Sequence, residues 1–367
     1  MQAGPGPPAP AAAMLARPMR FGLYVSAEVA PPGAPPARVP ATLPDVYASL
    51  LEDARVAEAA GFDGFYVSEH HGSPVDHLPQ PLLFLAAVAA VTRRISLGTT
   101  VVQLPLHHPL DVAEQVAVLD NLSHGRAVAG FGLGWKEPEL QAFGTSRAEA
   151  ILRFEEGFEI VRRALEDGAV TFAGKHFRLD AFPVRPRPVQ RPRPPLWIGA
   201  SSERAVRRAA RLADAWVGDG LHDLAFMRRR SELFREEARR AGRPGGVVLM
   251  RQTFVADSQA EIERVWWPHM RRIGLDYFRA DYVKGGRFQG DALSRLESEE
   301  AWSYERVAPD RFLVGTPAEV VAELRRYQRE CGCEEVIFHV RLGSGPDPEA
   351  ARACIRRLGA EVLPHFR

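Results

Sequence analysis

Histidines and carboxylates gather at two places in this chain: Glu69-His70-His71, and Gln103 followed by His107-His108. The first group directly follows the apolar run Phe65-Tyr66-Val67, and the second follows the run from Ile95 to Thr99. An imidazole with an ordinary pKa near 6.5 exchanges a proton around neutral pH, so these histidines have the chemistry of a general acid or base. A lone His at a strand end can equally hydrogen-bond a loop carbonyl. Recurrence after successive strands favours a shared site. Glu69, the histidines and Asp76-His77 are also metal-ligand types. The first strand, Phe21-Gly22-Leu23-Tyr24, brings no His or carboxylate to the place where metal-dependent barrel hydrolases begin their site. No metal ligand is therefore assigned, and such a hydrolase stays as a remote alternative.

Trp197-Ile198-Gly199-Ala200-Ser201-Ser202-Glu203-Arg204-Ala205 is a second chemical signal, a strand ending in small residues that opens directly into a helix. Free N–H groups and the positive helix end suit an anion, and small side chains let a phosphate approach. Ser202 reads equally as a plain N-cap.

The elements that must position these groups follow from the alternation of apolar runs and helical patterns. Arg20 to Val25 reads as a strand, and Asp45 to Ala60 carries Val46, Leu50, Ala54, Val56 and Ala57 at helical spacing before Gly61. Phe65 to Val67, a helix near Leu82 to Val91, Ile95 to Thr99, a helix at Leu110 to Leu122 and Ala127 to Phe131 continue the pattern. A long amphipathic helix from about Ala148 to Glu166 precedes an inserted hairpin, Val170 to Leu179, turning at Gly174-Lys175. After the Pro-rich stretch Pro183 to Pro195, strands at Leu196 to Gly199, Ala215 to Val217, Val248 to Val255 and Glu335 to Val340 complete eight β-then-α units.

Such units imply parallel pairing, in an open sheet or a closed barrel. The first strand lacks a Gly-x-Gly-x-x-Gly loop, and polar groups follow several different strands, so the expectation is a (β/α)8 TIM barrel spanning 19–367 as one domain. Asp276 to Arg311, with Gly285, Gly286 and Gly290, is expected to form a long lid-like loop at the barrel mouth. Residues 1–18, almost all Ala, Pro and Gly, are expected to be a disordered tail without a secretory pattern.

Composition narrows the function classes. Lys+Arg 47 against Asp+Glu 46 leaves a net charge of +1, which disfavours a polyanion partner such as nucleic acid. Hydrophobic residues at 46% and charged residues at 25% fit a soluble globular chain with a large core. No uninterrupted apolar window of about 18 residues is present, so no membrane span is expected. Cys331, Cys333 and Cys354 have neither metal-site spacing nor a disulfide framework, which suits a reducing, cytoplasmic compartment.

From about Met19 to Leu363 the residues resemble the bacterial luciferase-like flavin-dependent monooxygenases. Glu69-His70-His71 is similar to that family's Glu-His-His after the second strand. Gly98-Thr99-Thr100-Val101-Val102 through Leu104-Pro105 and His108-Pro109 resembles its third strand and following loop. Leu119-Asp120-Asn121-Leu122-Ser123-His124-Gly125-Arg126 matches Leu-Asp-x-Leu-Ser-x-Gly-Arg, with Gly130, Gly132, Gly134 and Phe143-Gly144 after it. Trp197 to Ser202 and Leu313-Val314-Gly315-Thr316-Pro317 complete the likeness.

The resemblance implies a flavin at the C-terminal mouth of the barrel, with His70 as catalytic residue and Glu69 beside it. Thr100-Val101 falls where many members have a non-prolyl cis peptide under the ring. Thr100, Val101, Gly132, Gly199, Ala200, Ser201 and Ser202 are the implied cofactor-binding residues. His71, His107, His108 and Trp135 are candidate pocket residues, and Trp197 and Trp216 are further aromatic candidates. At Gly132-Leu133 the luciferases proper place Cys-Arg; this departure argues against light emission and leaves Arg204 or Arg126 to supply charge, with Arg126 reading more as a structural residue. The implied activity is oxygenation of a small organic substrate with O2 and reduced FMN from a separate NAD(P)H:flavin reductase, by a homo-oligomer, a dimer. Coenzyme F420-dependent hydride transfer on the same fold is the alternative. In either case the cofactor carries the difficult step, and the protein supplies orientation, exclusion of water and a proton route.

Overall fold

Strands joined through helices cannot form hairpins with their sequence neighbours, so they pair in parallel and the sheet curls until its edges meet. The computed structural model describes residues 18–29, 42–74, 76–279, 288, 290–342 and 345–367. The expected tail lies outside these residues except for Pro18. The barrel strands are β1 Arg20–Val25, β2 Gly64–Val67, β3 Ser96–Thr99, β4 Ala127–Gly132, β5 Leu196–Gly199, β6 Ala215–Gly218, β7 Gly246–Val255 and β8 Glu335–His339. Every adjacent pair is parallel, and Val248↔Val217, Gln252↔His339 and Tyr24↔His339 are among the pairings that carry the sheet through β6, β7 and β8 back to β1. The closed eight-stranded TIM barrel is thus present.

Helices cover the outside: α1 Leu43–Ala59, α2 Pro81–Val91, α3 Pro109–Leu122, α4 Glu137–Ala142, α5 Arg147–Asp167, α6 Glu203–Leu212, α7 Leu224–Arg240, α8 Trp267–Arg279, α9 Pro317–Cys331 and α10 Pro348–Arg357. Their ends have local causes. Thr316 and Glu319 form a reciprocal capping box at the start of α9, and Gly332 ends it in the left-handed region at φ 56°. No helix among the described residues is long and apolar enough to cross a membrane.

The expected hairpin is present as antiparallel Ala169–Ala173 and Arg178–Pro183. Its Pro-rich return to the barrel is fastened by Asp120 at the end of α3. That buried carboxylate accepts from the Val189 and Gln190 backbone N–H groups at 2.7 and 2.9 Å and from Gln190 Nε2 at 2.7 Å.

The segment 276–311 differs from the expected lid-like loop. Asp276 to Arg279 finish α8, residues 280–287 and 289 lie outside the described residues, and short helical turns occupy Ala292–Arg295 and Tyr304–Val307. A buried anchor accounts for this order. Asp291 accepts from the Asp223 backbone N–H at 2.7 Å, pairs with Arg311 at 3.0 Å and faces His222 Nδ1 at 3.3 Å. Burial opposes the charge on Asp291, but His222 and Arg311 hold its carboxyl well below the ordinary range. Leu313–Gly315 then adds a short strand along the far half of β7, which is longer than its barrel neighbours.

Inside the barrel, Tyr66 fills the centre, stacked on Trp197 at 5.4 Å with its hydroxyl donating to Glu335 at 2.5 Å. Gly22, Gly64 and Gly98 surround the ring, and a Cβ added at any of them would lie 2.4–2.5 Å from a Tyr66 ring carbon. These three positions exclude side chains so that one large ring can plug the barrel. Gly98→Ala meets both Tyr66 and Val128, and its expected cost is the 1–3 kcal/mol typical of overpacking. Urea unfolding reads this directly; a stability equal to wild type would mean that the plug is not tightly packed.

Candidate active site

A cavity of about 500 Å³ opens at the C-terminal ends of the strands, and every barrel strand contributes a residue from its own end or the turn after it, β3 through Thr100-Val101. On one side, Thr100 and Val101 are joined by the expected cis peptide bond. A Cβ at Gly132 would stand 2.5 Å from Val101 Cγ2, and one at Gly199 would stand 3.0 Å from Val101 Cγ1. Both residues must be small for β4 and β5 to pass this close to Val101. The buried Thr100 Oγ1 has no hydrogen-bond partner among the described residues.

Beyond Gly199 the chain turns through Ala200 and Ser201 into α6, where Ser202 is the N-cap and accepts from the Ala205 N–H at 3.4 Å. Trp216 Nε1 donates to the Ala200 carbonyl at 2.7 Å, and Arg230 Nε donates to that of Ser201 at 3.1 Å. With these carbonyls occupied, the N–H groups at the start of α6 present the partial positive charge that suits an anion. Arg147, at the first position of α5, is the one Arg or Lys in the described lining. Arg126 and Arg204 do not line the cavity. Arg126 instead holds the Ile95, Thr92 and Ser123 carbonyls where strands begin.

His70 lines the cavity, with its side chain 27% exposed, and stands between two buried carboxylates. Its Nε2 lies 3.9 Å from Asp76 and its Nδ1 lies 3.9 Å from Glu139. Glu139 also accepts from Gln103 Nε2 at 2.9 Å and has Lys136 at 3.2 Å. Burial would raise the Glu139 carboxyl, yet His70, Gln103 and Lys136 bring it down to about 2, so it is ionised.

Glu69 lines the cavity beside His70, and its carboxylate is engaged in the wall. Its side chain is fully buried, with one oxygen accepting from His71 Nε2 at 2.5 Å and His107 Nε2 at 2.7 Å, and the other from the Gln103 N–H at 2.8 Å. A buried carboxylate requires such donors, and they are taken from the loop that follows β3 as well as from its own neighbour. His71 and His107 are consequently wall residues and do not line the cavity. His108 does not line it either; its Nδ1 caps α3 by accepting from the Leu110 N–H at 3.3 Å. Trp135 lines the cavity as expected, whereas Trp197 belongs to the barrel plug and Trp216 to the outer core.

Glu69, His71 and His107 present ligand atoms within 4.8 Å of one another, the donor set of some metal centres. Contacts of 2.5 and 2.7 Å are hydrogen bonds; ligands at about 2.1 Å from one ion usually stand about 3 Å or more apart. The group as it stands is hydrogen-bonded.

Several cavity residues were not among the expected site. His339 is a polar residue closing an otherwise apolar strand end, which is a readable signal, whereas Gln252 stands between Arg251 and Thr253 in β7 and the pattern does not single it out. Glu139 follows β4 in a segment without a strong strand or helix pattern, and Arg147 stands one residue ahead of the expected helix start at Ala148, where helical spacing does not say which way it faces.

The Glu69–His107 pair makes stability depend on pH. Burial would raise Glu69, but its His107 and His71 hydrogen bonds lower it below 4.5; burial would lower His107, but Glu69 raises it above 6.5. The Glu69 contribution is present above the unfolded value and lost as pH falls through the folded one. That of His107 is present below its unfolded value and lost as pH rises through the folded one. The pair is therefore fully expressed between about 4.5 and 6.5. Glu69→Gln is expected to cost more stability near pH 6 than near pH 9 in urea unfolding, and an equal cost at both would contradict an ionic pair.

Comparison with known proteins agrees with this architecture. The family model for luciferase-like monooxygenases matches residues 19–332. Limonene 1,2-monooxygenase of Rhodococcus erythropolis is 37% identical over 86% of this chain and 80% of its own. The oxygenase component of the flavin-dependent trigonelline monooxygenase of Acinetobacter baylyi is 25% identical over 95% of this chain and 96% of its own. An F420-dependent glucose-6-phosphate dehydrogenase of Nakamurella multipartita is 27% identical over 95% and 97%. The crystal structure of the monooxygenase RslO1 from Streptomyces bottropensis superposes with a TM-score of 0.77 at 27% identity, covering 95% of this chain and 100% of that one. By this match over most of its length, the chain belongs to the luciferase-like monooxygenase family and is an oxidoreductase.

Proposed function

We propose that this protein is the oxygenase of a two-component system, which binds reduced FMN and uses O2 to oxygenate a small organic substrate. A separate NAD(P)H:flavin reductase supplies the flavin, and the setting is cytoplasmic. The observation that carries this reading is the joining, in one cavity, of a narrow apolar floor, a helix-start anion turn and a titratable histidine. The floor at Thr100, Val101, Gly132 and Gly199 fits a flat ring, and the partnerless Thr100 hydroxyl offers it a hydrogen bond. Ala200, Ser201 and Ser202 fit a phosphate, and Arg147, which donates to the Trp135 carbonyl, is part of the same cavity lining. No dinucleotide loop follows β1, which favours a mononucleotide.

Bound reduced flavin supplies the electrons that activate O2. The chain's own part is to hold and to exclude. His70 moves a proton at its imidazole, which stands 3.9 Å from Asp76 and 3.9 Å from Glu139. Glu69 acts through the wall, as a positioning residue. For the dimer, Leu83 on α2, 71% exposed, with Val118 and Leu122 on the adjacent α3, offers an apolar surface for a second copy.

The F420-dependent relative supports a second reading, hydride transfer without oxygen. Titrating the purified protein with FMN, reduced FMN and F420, followed by oxygen uptake, separates the two. Tight binding of reduced FMN and substrate-dependent oxygen consumption are expected; preference for F420 without uptake would favour the second reading. His70→Ala is expected to lower turnover about 10²- to 10⁴-fold while the melting temperature changes little. A sharp fall in melting temperature with an unchanged rate per folded molecule would give His70 a structural role only.

A further inference from the structure

Across the cavity from the proposed flavin floor, three neighbouring strands bring polar side chains to one level. Gln252 on β7 pairs in register with His339 on β8, which pairs in turn with Tyr24 on β1. All three line the cavity. The Tyr24 hydroxyl is already bonded to Ser68 Oγ at 2.6 Å, and its ring meets the His339 ring edge-on at 4.6 Å. Gln252 Oε1 and His339 Nε2, by contrast, have no hydrogen-bond partner among the described residues, although the two residues are only 8% and 9% exposed. Buried polar atoms left without partners are costly and uncommon in native proteins.

We propose that Gln252 Oε1 and His339 Nε2 are the substrate's polar contact, and that the substrate is an apolar ring or chain bearing a hydroxyl or amide N–H donor. This rests on the reading that the flavin occupies the β3–β5 side. Burial pulls the His339 imidazole down to about 4, and a backbone hydrogen bond at Arg341 engages its other nitrogen, so Nε2 presents a lone pair at neutral pH. The Gln252 oxygen is an acceptor as well. Two adjacent acceptors, on strands about 4.8 Å apart, call for a donor. A carboxylate would add a third acceptor, and a pure hydrocarbon would leave both unmet. Met250, Met270, Ile273 and Leu342 supply apolar lining for the rest of the molecule.

The test uses ¹⁹F NMR titration of the flavin-free protein with 4-fluorophenol, 4-fluoroanisole, fluorobenzene and 4-fluorobenzoate. The phenol is expected to bind at least about tenfold more tightly than the other three, since tenfold corresponds to one hydrogen bond of ordinary strength. In His339→Phe and Gln252→Leu that preference is expected to shrink to about threefold or less, while FMN affinity stays within about threefold. Equal binding of phenol and anisole by wild type overturns the proposal, as does tightest binding of the benzoate or a preference that survives both substitutions. A parallel loss of FMN affinity in both variants also overturns it, because the two acceptors would then serve the flavin. His339→Leu, which also lacks an acceptor, stands in if the Phe variant fails to fold. The preference is read without flavin, so a failure of wild type to bind FMN counts against the cofactor reading alone.

Discussion

The Glu69 carboxylate, buried where β2 ends, is satisfied by His71, by His107 and by the backbone N–H of Gln103. Two of these donors lie beyond β3, so one charge fastens the end of one strand to the loop that leaves the next. Gln103 returns the contact by donating from its side chain to the Glu69 carbonyl at 3.1 Å and to Glu139 at 2.9 Å. Between β3 and Gln103 lie Thr100 and Val101, which form the narrow side of the cavity. The same carboxylate thus determines where that floor lies, and through Gln103 and Glu139 it bears on the surroundings of His70. Removing a donor from a buried carboxylate leaves charge unmet, which explains why three side chains able to do chemistry are used to hold a wall.

Close approach of backbones is the second constraint, and it serves both ends of the barrel. Near the mouth, Gly130 accepts and donates with the Thr99 hydroxyl at 2.8 and 3.0 Å, and a Cβ at Gly130 would fall 2.0 Å from the Thr99 carbonyl. Deeper in, the glycines around Tyr66 let one ring fill the interior. The barrel is solid below and open above, so a ligand is confined to the strand ends, where the helix-start turn and the histidine also lie.

Much of this order was legible in the residues. Apolar runs and helical spacing predict all eight barrel strands, because each strand is buried on both faces and each helix on one. Leu313–Gly315 escapes notice, since three residues extending the overhang of β7 have no period of their own. The turns within 291–311 are equally hidden, because they depend on Asp291 meeting Arg311 and His222 across the fold. At the site, the clustering of Glu69, His70, His71 and His107 was visible but their division of labour was not. His70 and His71 are chemically identical neighbours; only the burial of Glu69 makes one a wall residue and leaves the other facing the cavity.

The claim that Glu69 holds the floor is most directly tested at one amide. The Gln103 N–H donates to Glu69 Oε2, so native-state hydrogen exchange at Gln103 reads that contact itself. In Glu69→Gln, exchange at Gln103 is predicted to accelerate about tenfold or more, in keeping with loss of a hydrogen bond to a charged group, while the Leu249 amide in β7 keeps its protection. Unchanged protection at Gln103, or equal acceleration at both amides, would contradict the account: the first because the carboxylate would hold nothing there, the second because the whole barrel would be opening instead.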